Sequence, residues 1–320
     1  MATTSKLLKP LVDLGKNNIA PYFLNLAPWF GLLTILNNKN TKDFALTNAW
    51  VQTLIFILTA QLPSYVTGIM SWVDLAWPTG LVALGVQTFF NAGANTNPWR
   101  TGLGALLYLF QGGRMALGAT SLVLNGHMQR DMPRYKYQFL RWEQSGIKKG
   151  TVWFTLMMQK EIFNQALANM GCLILPGVLV ARNQLGRDAP LQSVEKIGLL
   201  LWIVSYCIEH TSDLQKGAFL RKMKAQGIRN ASVTSGFWSL SRHPNYFGEY
   251  LVWVALSLFA LPSLQSLLRV PEQDNVASEV GGGWWGSVVG SHANAVILQN
   301  VMLSLSLSLC SFSMYFCLTW

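Results

Sequence analysis

The chain has 320 residues, 51% of them hydrophobic and only 12% charged, with a formal net charge of +10. That charged share is about half that of a soluble domain, which excludes a large soluble core and points to a polytopic membrane protein. The positive balance does not indicate a nucleic-acid partner, because the basic residues sit mainly between apolar stretches, where a membrane-side charge bias accounts for them.

Residues 1–19 carry Lys6, Lys9 and Lys16 without a sustained apolar core, so they read as a cytosolic N-terminal segment and not a cleaved signal peptide. Residues 20–320 read as one integral membrane domain. Its apolar stretches fall at about 20–36, 44–62, 67–90, 101–124, 150–181, 194–214, 246–268 and 294–317. Most approach the ~20 residues of a spanning helix, so the expectation is an all-α transmembrane bundle of about seven or eight spans. No internal repeat stands out, and no loop is large enough for a soluble domain. Cys172, Cys207, Cys310 and Cys317 lie in apolar segments without a CxxC pair and read as small buried hydrophobes.

The charges interrupting these stretches are informative, because a charge inside a span costs roughly 2.5–3.5 kcal/mol and normally faces a cavity or the bundle interior. Asp74 and Arg114 are read as cavity-facing, with a structural ion pair as the alternative. Lys160 and Glu161 read as a structural ion pair or as snorkelling side chains, at a point that would divide the stretch 150–181 into an interfacial and a spanning part. The loop 125–149 holds Arg130, Arg134, Lys136, Arg141, Lys148 and Lys149. The loop 215–242 holds Lys216, Arg221, Lys222, Lys224, Arg229 and Arg242. Two spans separate these loops, which places both in the cytosol. The stretch 269–293, with Arg269 against Glu272, Asp274 and Glu279, fits the opposite side, and eight spans would leave both termini cytosolic.

Glu209 and Asp213 lie four apart at the cytosolic end of a span, on a helical face that Lys216 continues. A metal site is not expected, since no second acid/His pair has matching spacing. A purely structural Asp213 would pair with Lys216 or Arg221, whereas acids beside basic residues also suit a nucleotide's hydroxyls and phosphates. His210 reads as an interfacial hydrogen-bonding residue. The soluble phosphate-binding motifs are absent, so any nucleotide is held without a Rossmann fold.

Polar groups concentrate most densely in Ser241-Arg242-His243-Pro244-Asn245-Tyr246-Phe247-Gly248-Glu249, just before an apolar run. Pro244 suits the first turn of a helix, with Ser241 or His243 near its N-cap and Arg242 just outside. Asn245 and Glu249 then share one face, followed a turn later by Trp253. A helix N-terminus beside an arginine suits an anion. The same Arg, His and Tyr also fit a plain interfacial anchor.

The order Ser-Arg-His-Pro-Asn-Tyr-Phe-Gly-Glu closely resembles the signature of the steroid 5-alpha-reductase-like membrane reductases, including their DUF1295 branch. Its shorter form, Arg-His-Pro-x-Tyr-x-Gly, also resembles the isoprenylcysteine carboxyl methyltransferases. Asn245 and the Phe247-Gly248-Glu249 ending favour the reductases. The likeness extends from about Trp72 to Leu261. Asp74 and Trp77 resemble the family's Asp-x-x-Trp element, and Asp131 to Tyr135 its Asp-x-Arg-Tyr loop with one residue inserted. Glu209, Asp213 and Gln215 are similar to its Glu-x-x-x-Asp-x-Gln element. The resemblance implies NADPH held in the region 205–253 of a bundle of about seven helices. Asp213, Asn245 and Glu249 would contact it, and Arg221 and Arg242 would act as phosphate partners. Arg130, Arg134, Glu209, Ser241, His243 and Tyr246 complete the cofactor candidates.

Two departures accompany this likeness. Where steroid reductases have Glu-Leu-Pro-Ser, whose Glu polarises the substrate carbonyl, this chain has Gln61-Leu62-Pro63-Ser64, so Gln61 could donate a hydrogen bond but not a proton. The family's polar cytosolic tail is not seen before Trp320. That leaves a truncated sequence, a pocket closed differently, or a bundle that is no longer a competent reductase. The catalytic candidates are Gln61, Asp74 and Arg114. The expected activity is NADPH-dependent reduction of a carbon–carbon double bond in a lipophilic substrate, in the endoplasmic reticulum if the chain is eukaryotic. No protein partner is inferable. The rivals are an S-adenosylmethionine-dependent membrane methyltransferase and a non-catalytic membrane protein.

Overall fold

The computed structural model describes Leu33, residues 35–228 and residues 231–269. The segment 1–19, most of the stretch 20–36, Arg229, the loop beyond Arg269, the stretch 294–317, Cys310 and Cys317 lie outside the described residues. Within those described, every regular element is helical. Helix α1, Lys42–Phe56, continues through a π-helical turn at Ile57–Gln61 into α2, Leu62–Thr67. Then come α3, Val73–Phe90, and α4, Pro98–Leu124. A short α5, Pro133–Gln144, precedes α6, Val152–Gly171, and α7, Ile174–Ala181. The last two are α8, Ser193–Ala225, and α9, Pro244–Arg269. Among the described residues three stretches are long and apolar enough to cross a membrane: Lys42–Thr67, Val152–Ala181 and Pro244–Leu267.

Helix starts follow local chemistry. The Asn97 side chain accepts from the backbone N–H of Trp99 and Arg100, with Pro98 at the first helical position. Gln192 and Glu195 form a capping box on α8. Pro244 opens α9 as its missing N–H allows, leaving His243 in the capping position.

Contacts at the connections show that the long rods run alternately between two ends. At one end Gly93 N–H donates to Ala181, Asn97 to Ala189, and Gln184 N–H to the Ser266 hydroxyl. At the other, Asp131 accepts from the backbone N–H of Met70 (2.7 Å) and Ser71 (3.1 Å). The loops 125–149 and 215–242 both lie at this second, basic end, the arrangement that their charges suggested.

Two antiparallel pairs, α3–α4 and α8–α9, make the closest helix contacts. Glycines allow them. A methyl at Gly112 of α4 would lie 2.8 Å from the Val82 nitrogen, and one at Gly85 of α3 would lie 2.9 Å from the Ala105 carbonyl. On the other pair, a methyl at Gly198 would meet Phe259 N at 2.7 Å, and one at Gly248 would meet Glu209 N at 2.7 Å. Small residues of this kind let apolar helices approach backbone to backbone. Helix α7 packs among these elements with every residue buried.

The interruption expected at Lys160 and Glu161 falls elsewhere. Helix α6 runs straight through both residues, and the break comes at Cys172–Leu173, beside Pro176. There the Tyr108 hydroxyl donates to Leu173 O (2.5 Å) and accepts from Gly177 N–H (3.1 Å), bridging the helical bond that is missing. A second difference is α5, which lies inside a stretch read as loop. Tyr135, Phe139 and Trp142 recur at helical spacing and bury one stripe, with the rings of Phe139 and Trp142 against Phe154 of α6. A third is Cys207, which is exposed among the outward apolar residues Leu200, Ile203 and Val204, while Cys172 is buried as expected.

Placing alanine at Gly198 drives its methyl into the α9 backbone, and overpacking of this kind costs about 1–3 kcal/mol. Gly198→Ala should therefore lower the unfolding temperature in detergent. Gly113→Ala, with nothing within 4 Å of the added methyl, should leave it unchanged or slightly raised. Equal melting of the two variants would contradict the close α8–α9 contact.

Candidate functional site: an arginine–acid cluster at the basic end

On α4, Gln111 and Arg114 are three residues apart and share a face turned towards α8. Arg114 reaches two acids of α8 at once, with one terminal nitrogen on Glu209 and the other 2.8 Å from Asp213 Oδ2. The Gln111 amide donates to the remaining Glu209 oxygen at 2.9 Å. From α9, Asn245 donates to Asp213 Oδ1 at 3.1 Å. Gly248 makes this convergence possible, because its bare Cα lets the α9 backbone touch α8 at Glu209.

The cluster grades from buried to open. The side chain of Glu209 is 4% exposed, that of Arg114 15% and that of Asp213 41%. Three buried atoms in it have no partner: Arg114 Nε, Gln111 Oε1 and Asn245 Oδ1. Glu249, half-buried one turn beyond Asn245, has no hydrogen-bond or ion-pair partner among the described residues and lies within electrostatic range of Glu209, Arg114 and Arg134. Three carboxylates and two orphaned carboxamide oxygens thus lie around a guanidinium whose Nε has no partner.

A second group adjoins it. Asp131 holds the start of α3, and Ser71 in turn accepts from Met132 N–H at 2.9 Å. This anchoring brings Arg134 and Tyr135 to Asp74. Arg134 pairs with Asp74 Oδ1, and the Tyr135 hydroxyl donates to the same oxygen at 2.5 Å. Asp74 Oδ2 is buried and unpartnered. Burial opposes the Arg134 charge, but the Asp74 carboxylate paired with it outweighs burial and keeps the guanidinium firmly protonated. Burial, reinforced by the Asp74 carboxylate, pushes the Tyr135 hydroxyl well above its ordinary value, so it stays a neutral donor.

Of the residues singled out in the sequence, Arg114, Glu209, Asp213, Asn245 and Glu249 come together, and Asp74 and Arg134 form the adjoining group. Both Asp74 and Arg114 have ion-pair partners. Asp213 pairs with Arg114 and Asn245 and not with Lys216 or Arg221. Gln61 stands apart: its backbone carbonyl accepts from Gln159 at 3.2 Å, and no described hydrogen bond joins its side chain to either group. Arg130 and Arg221 are exposed and outside both. His210 stacks on Tyr206, their rings 6.0 Å apart.

Ser241, Arg242 and His243 line a cavity of about 670 Å³ together with Lys216 and Trp238. Tyr246 lies one turn on, its ring 5.3 Å from that of His243. The loop before α9 is seated on α8 by two bonds, Phe237 N–H to the Gln215 side chain (3.0 Å) and Trp238 Nε1 to Ser212 O (2.9 Å). Gly236, with φ +63°, lies so close to Gln215 that a methyl there would sit 2.6 Å from the amide. Sequence reasoning named Tyr135 and Lys216 only as parts of the neighbouring motifs, and it missed Gln111 as a member of these groups. Gln111 had one local signal, its position three residues before Arg114 in an otherwise apolar span. Among the described residues no three His, Cys, Asp or Glu side chains are placed to hold a metal.

Fold and site together define an all-helical protein with membrane-length apolar helices and an internal arginine–acid cluster at its basic end. The family described as "Protein of unknown function (DUF1295)" matches residues 61–272, more than half of the chain, and the chain belongs to that family. No curated protein and no solved structure matches it.

Removing one partner of a buried ion pair strands the other, at about 3–5 kcal/mol. Because Asp213 is part exposed, Arg114→Gln should destabilise by the lower end of that range, roughly 3 kcal/mol. The double variant Arg114→Gln/Glu209→Gln, which removes both charges, should recover much of that loss in thermal unfolding. Additive losses would mean that the two residues do not act as a pair.

Proposed function

We propose that this chain is a membrane-embedded, NADPH-dependent reductase of a carbon–carbon double bond in a lipophilic substrate such as a steroid, another enone or a fatty-acyl lipid. The observation that carries the reading is the α9 face. Glu249 offers a carboxylate without a described partner and Asn245 an orphaned carboxamide oxygen, beside the part-buried Arg114 cluster and one turn from a basic cavity. Buried polar atoms without partners are costly, and a ligand that satisfies them recovers that cost. The signature at 241–249 that these residues occupy resembles that of the steroid 5-alpha-reductase-like reductases. That resemblance extends the family membership to an activity.

The residues fit such a cofactor. Glu249 and Asp213 accept hydrogen bonds of the kind a carboxamide or a ribose donates, and Asn245 can accept one on Oδ1 while holding Asp213. The chemistry NADPH supplies when bound is a hydride, delivered to the β-carbon of an enone, with a proton then reaching the α-carbon. Arg114 Nε is an unused donor within the cluster. It can hydrogen-bond a substrate carbonyl, and since arginine does not give up its proton, its part is to polarise. Asp74, held by Arg134 and Tyr135, orders the adjoining wall. Neither Gln61 nor an acid in its place is needed for this arrangement.

Such a protein has about seven or eight spans and is multi-pass, with the basic loops 125–149 and 215–242 in the cytosol, where a charged cofactor is available. Trp99 near one end and Tyr65 and Trp153 near the other are exposed, as interfacial aromatic residues are. In a eukaryotic cell the endoplasmic reticulum is the natural site.

Titration of the purified chain with NADPH and with S-adenosylmethionine side by side tests the reading directly. Binding should be to NADPH. Glu249→Gln, which breaks no described bond, should leave the ligand-free melting temperature unchanged and weaken NADPH about 5- to 150-fold, the range expected for one buried hydrogen bond. Tight binding of S-adenosylmethionine alone would replace the reductase reading with a methyltransferase.

A further inference from the structure

The polar groups described above use only the inner side of α5. The helix ends in a Schellman turn. Gly146, at φ +88°, donates its N–H to Glu143 O (3.0 Å), and Ile147 N–H reaches Trp142 O (2.9 Å). Ile147 packs against the same apolar group that holds Trp142. The chain therefore leaves α5 in a fixed direction, with Lys148 and Lys149 exposed in the turn before Thr151 caps α6. Phe139 and Trp142 lie 4.9 and 5.5 Å, ring centre to ring centre, from Phe154 in the first turn of α6. That contact sets the depth of α5. Next to Phe154 are Val152 and Trp153, both strongly exposed at the start of a membrane-length stretch. An exposed tryptophan there marks the level of the headgroups, so α5 lies in that level. Its outer side fits the place. Tyr137 and Leu140, three residues apart, are exposed, with Lys136 on one flank. On the other flank the Arg141 guanidinium lies 4.6 Å from the centre of the Tyr137 ring.

The charge on this side is strongly of one sign. From 125 to 149 the sequence has six basic residues and two acids, Asp131 and Glu143. Asp131 turns inward to the backbone of Met70 and Ser71, and Arg134 turns inward to Asp74. Arg130, Lys136, Arg141, Lys148 and Lys149 remain, against Glu143. The second basic loop has as many cations in a different position. Asp213 of α8 lies level with the start of α5, since Glu249 is within electrostatic range of both Asp213 and Arg134. Beyond Asp213 the helix continues unbroken to Ala225. Arg221, Lys222 and Lys224 are therefore roughly 12–17 Å further along its axis. Screening at physiological salt acts over ~8 Å. Those charges stand off the membrane surface, whereas the ones around α5 lie in it.

Exposed cations interleaved with exposed aromatic and aliphatic side chains, all at headgroup level, are complementary to anionic phospholipids. We propose that the outer side of α5 and the Lys148–Lys149 turn dock on anionic phospholipid headgroups of the cytosolic leaflet, and that this contact steadies Arg134 and Tyr135 against Asp74. The inference rests on the membrane placement given above and not on the nicotinamide reading.

The test is hydrogen–deuterium exchange of the full chain in nanodiscs of phosphatidylcholine, with and without phosphatidylserine. Phosphatidylserine should slow exchange of the α5 amides by about tenfold or more, since each basic residue at an anionic surface adds roughly fivefold in affinity. The backbone at 70–76 should slow with them, and slowing confined to α5 would overturn the link to Asp74. The variant Lys136→Gln/Lys148→Gln/Lys149→Gln changes three exposed residues outside the described ion pairs, so it should fold normally in phosphatidylcholine. Its response to phosphatidylserine should fall below about twofold. Arg221→Gln/Lys222→Gln/Lys224→Gln, which removes the same charge from α8, should keep the response. Salt at about 1 M, where the screening length falls to ~3 Å, should erase the response in wild type without any substitution. A response that survives the salt or the α5 substitutions overturns the inference. Equal loss in the α5 and α8 variants also overturns it, because the effect is then one of net charge. No response in wild type overturns it as well and leaves the patch to an acidic soluble partner. A chain that does not enter the discs removes the membrane placement and this inference together. NADPH binding is measured on the same discs, so failure of the reductase reading is seen separately.

Discussion

Two arginine–glutamate contacts between α4 and α8 determine where everything else in the bundle can sit. Arg100 pairs with Glu195 at one end and Arg114 with Glu209 at the other, and in both cases the partners are 95 residues apart. An equal offset means that the two helices run parallel and in constant register. The pairs are fourteen residues apart on each helix, about 21 Å along the axis and about 40° short of four full turns. Both therefore project from nearly the same face. Sliding α8 by one residue would move its acids by about 1.5 Å and rotate them by about 100°, breaking both pairs together. Since a stranded charge in an apolar surrounding is far costlier than a lost van der Waals contact, the register is effectively discrete.

The glycines make that register usable. Each arginine-bearing or acid-bearing helix is held to an antiparallel neighbour at backbone contact distance, α4 to α3 and α8 to α9. Gly112 sits between Gln111 and Arg114, so the point where α4 touches α3 also orients the side chains that leave in the other direction. Gly248 does the same for α9, placing Asn245 and Glu249 on either side of its contact with Glu209. The cluster is thus assembled by apolar close packing on its flanks. In lipid, where helix association depends on packing and internal hydrogen bonds and not on the expulsion of water, this is the available way to hold three acids beside one guanidinium.

What could be read from the sequence follows this physics. The start of α9 at Pro244, the shared face of Asn245 and Glu249, and the inward turn of Asp74 and Arg114 all depend on local spacing or on the cost of a charge in an apolar span. These were legible. The partner of Asp213 was not. Spacing along one helix proposed Lys216 or Arg221, whereas the actual partner, Arg114, is 99 residues away and becomes visible only once the register of α4 on α8 is known. Hydropathy also failed at α5, because a helix lying at the end of a bundle buries one stripe and has no long apolar run. It failed at Cys207 for the opposite reason. In a membrane-length helix both the inward and the outward face are apolar, so composition cannot say which one a small residue occupies.

The two clasps also explain why, among the described residues, the open cluster lies at the Arg114 end. At Arg100 and Glu195 both side chains are fully buried, and the surplus valences are turned to the chain itself. Glu195 accepts from Gln192 N–H at 2.7 Å, and Arg100 donates to Pro190 O at 2.9 Å. One donor there, Arg100 Nη1, goes without a partner, but it is enclosed. At Arg114 the same kind of pair is left incomplete in a graded way. A second acid shares the guanidinium, a third carboxylate stands free beside it, and exposure rises steadily from Glu209 to Asp213. Charges that are deeply buried favour one fixed geometry. Charges that are buried at one end and accessible at the other can exchange a protein partner for a ligand without first breaking the helix register. The Arg100 clasp holds that register, and the Arg114 clasp, relieved of being its sole support, is free to carry unsatisfied groups.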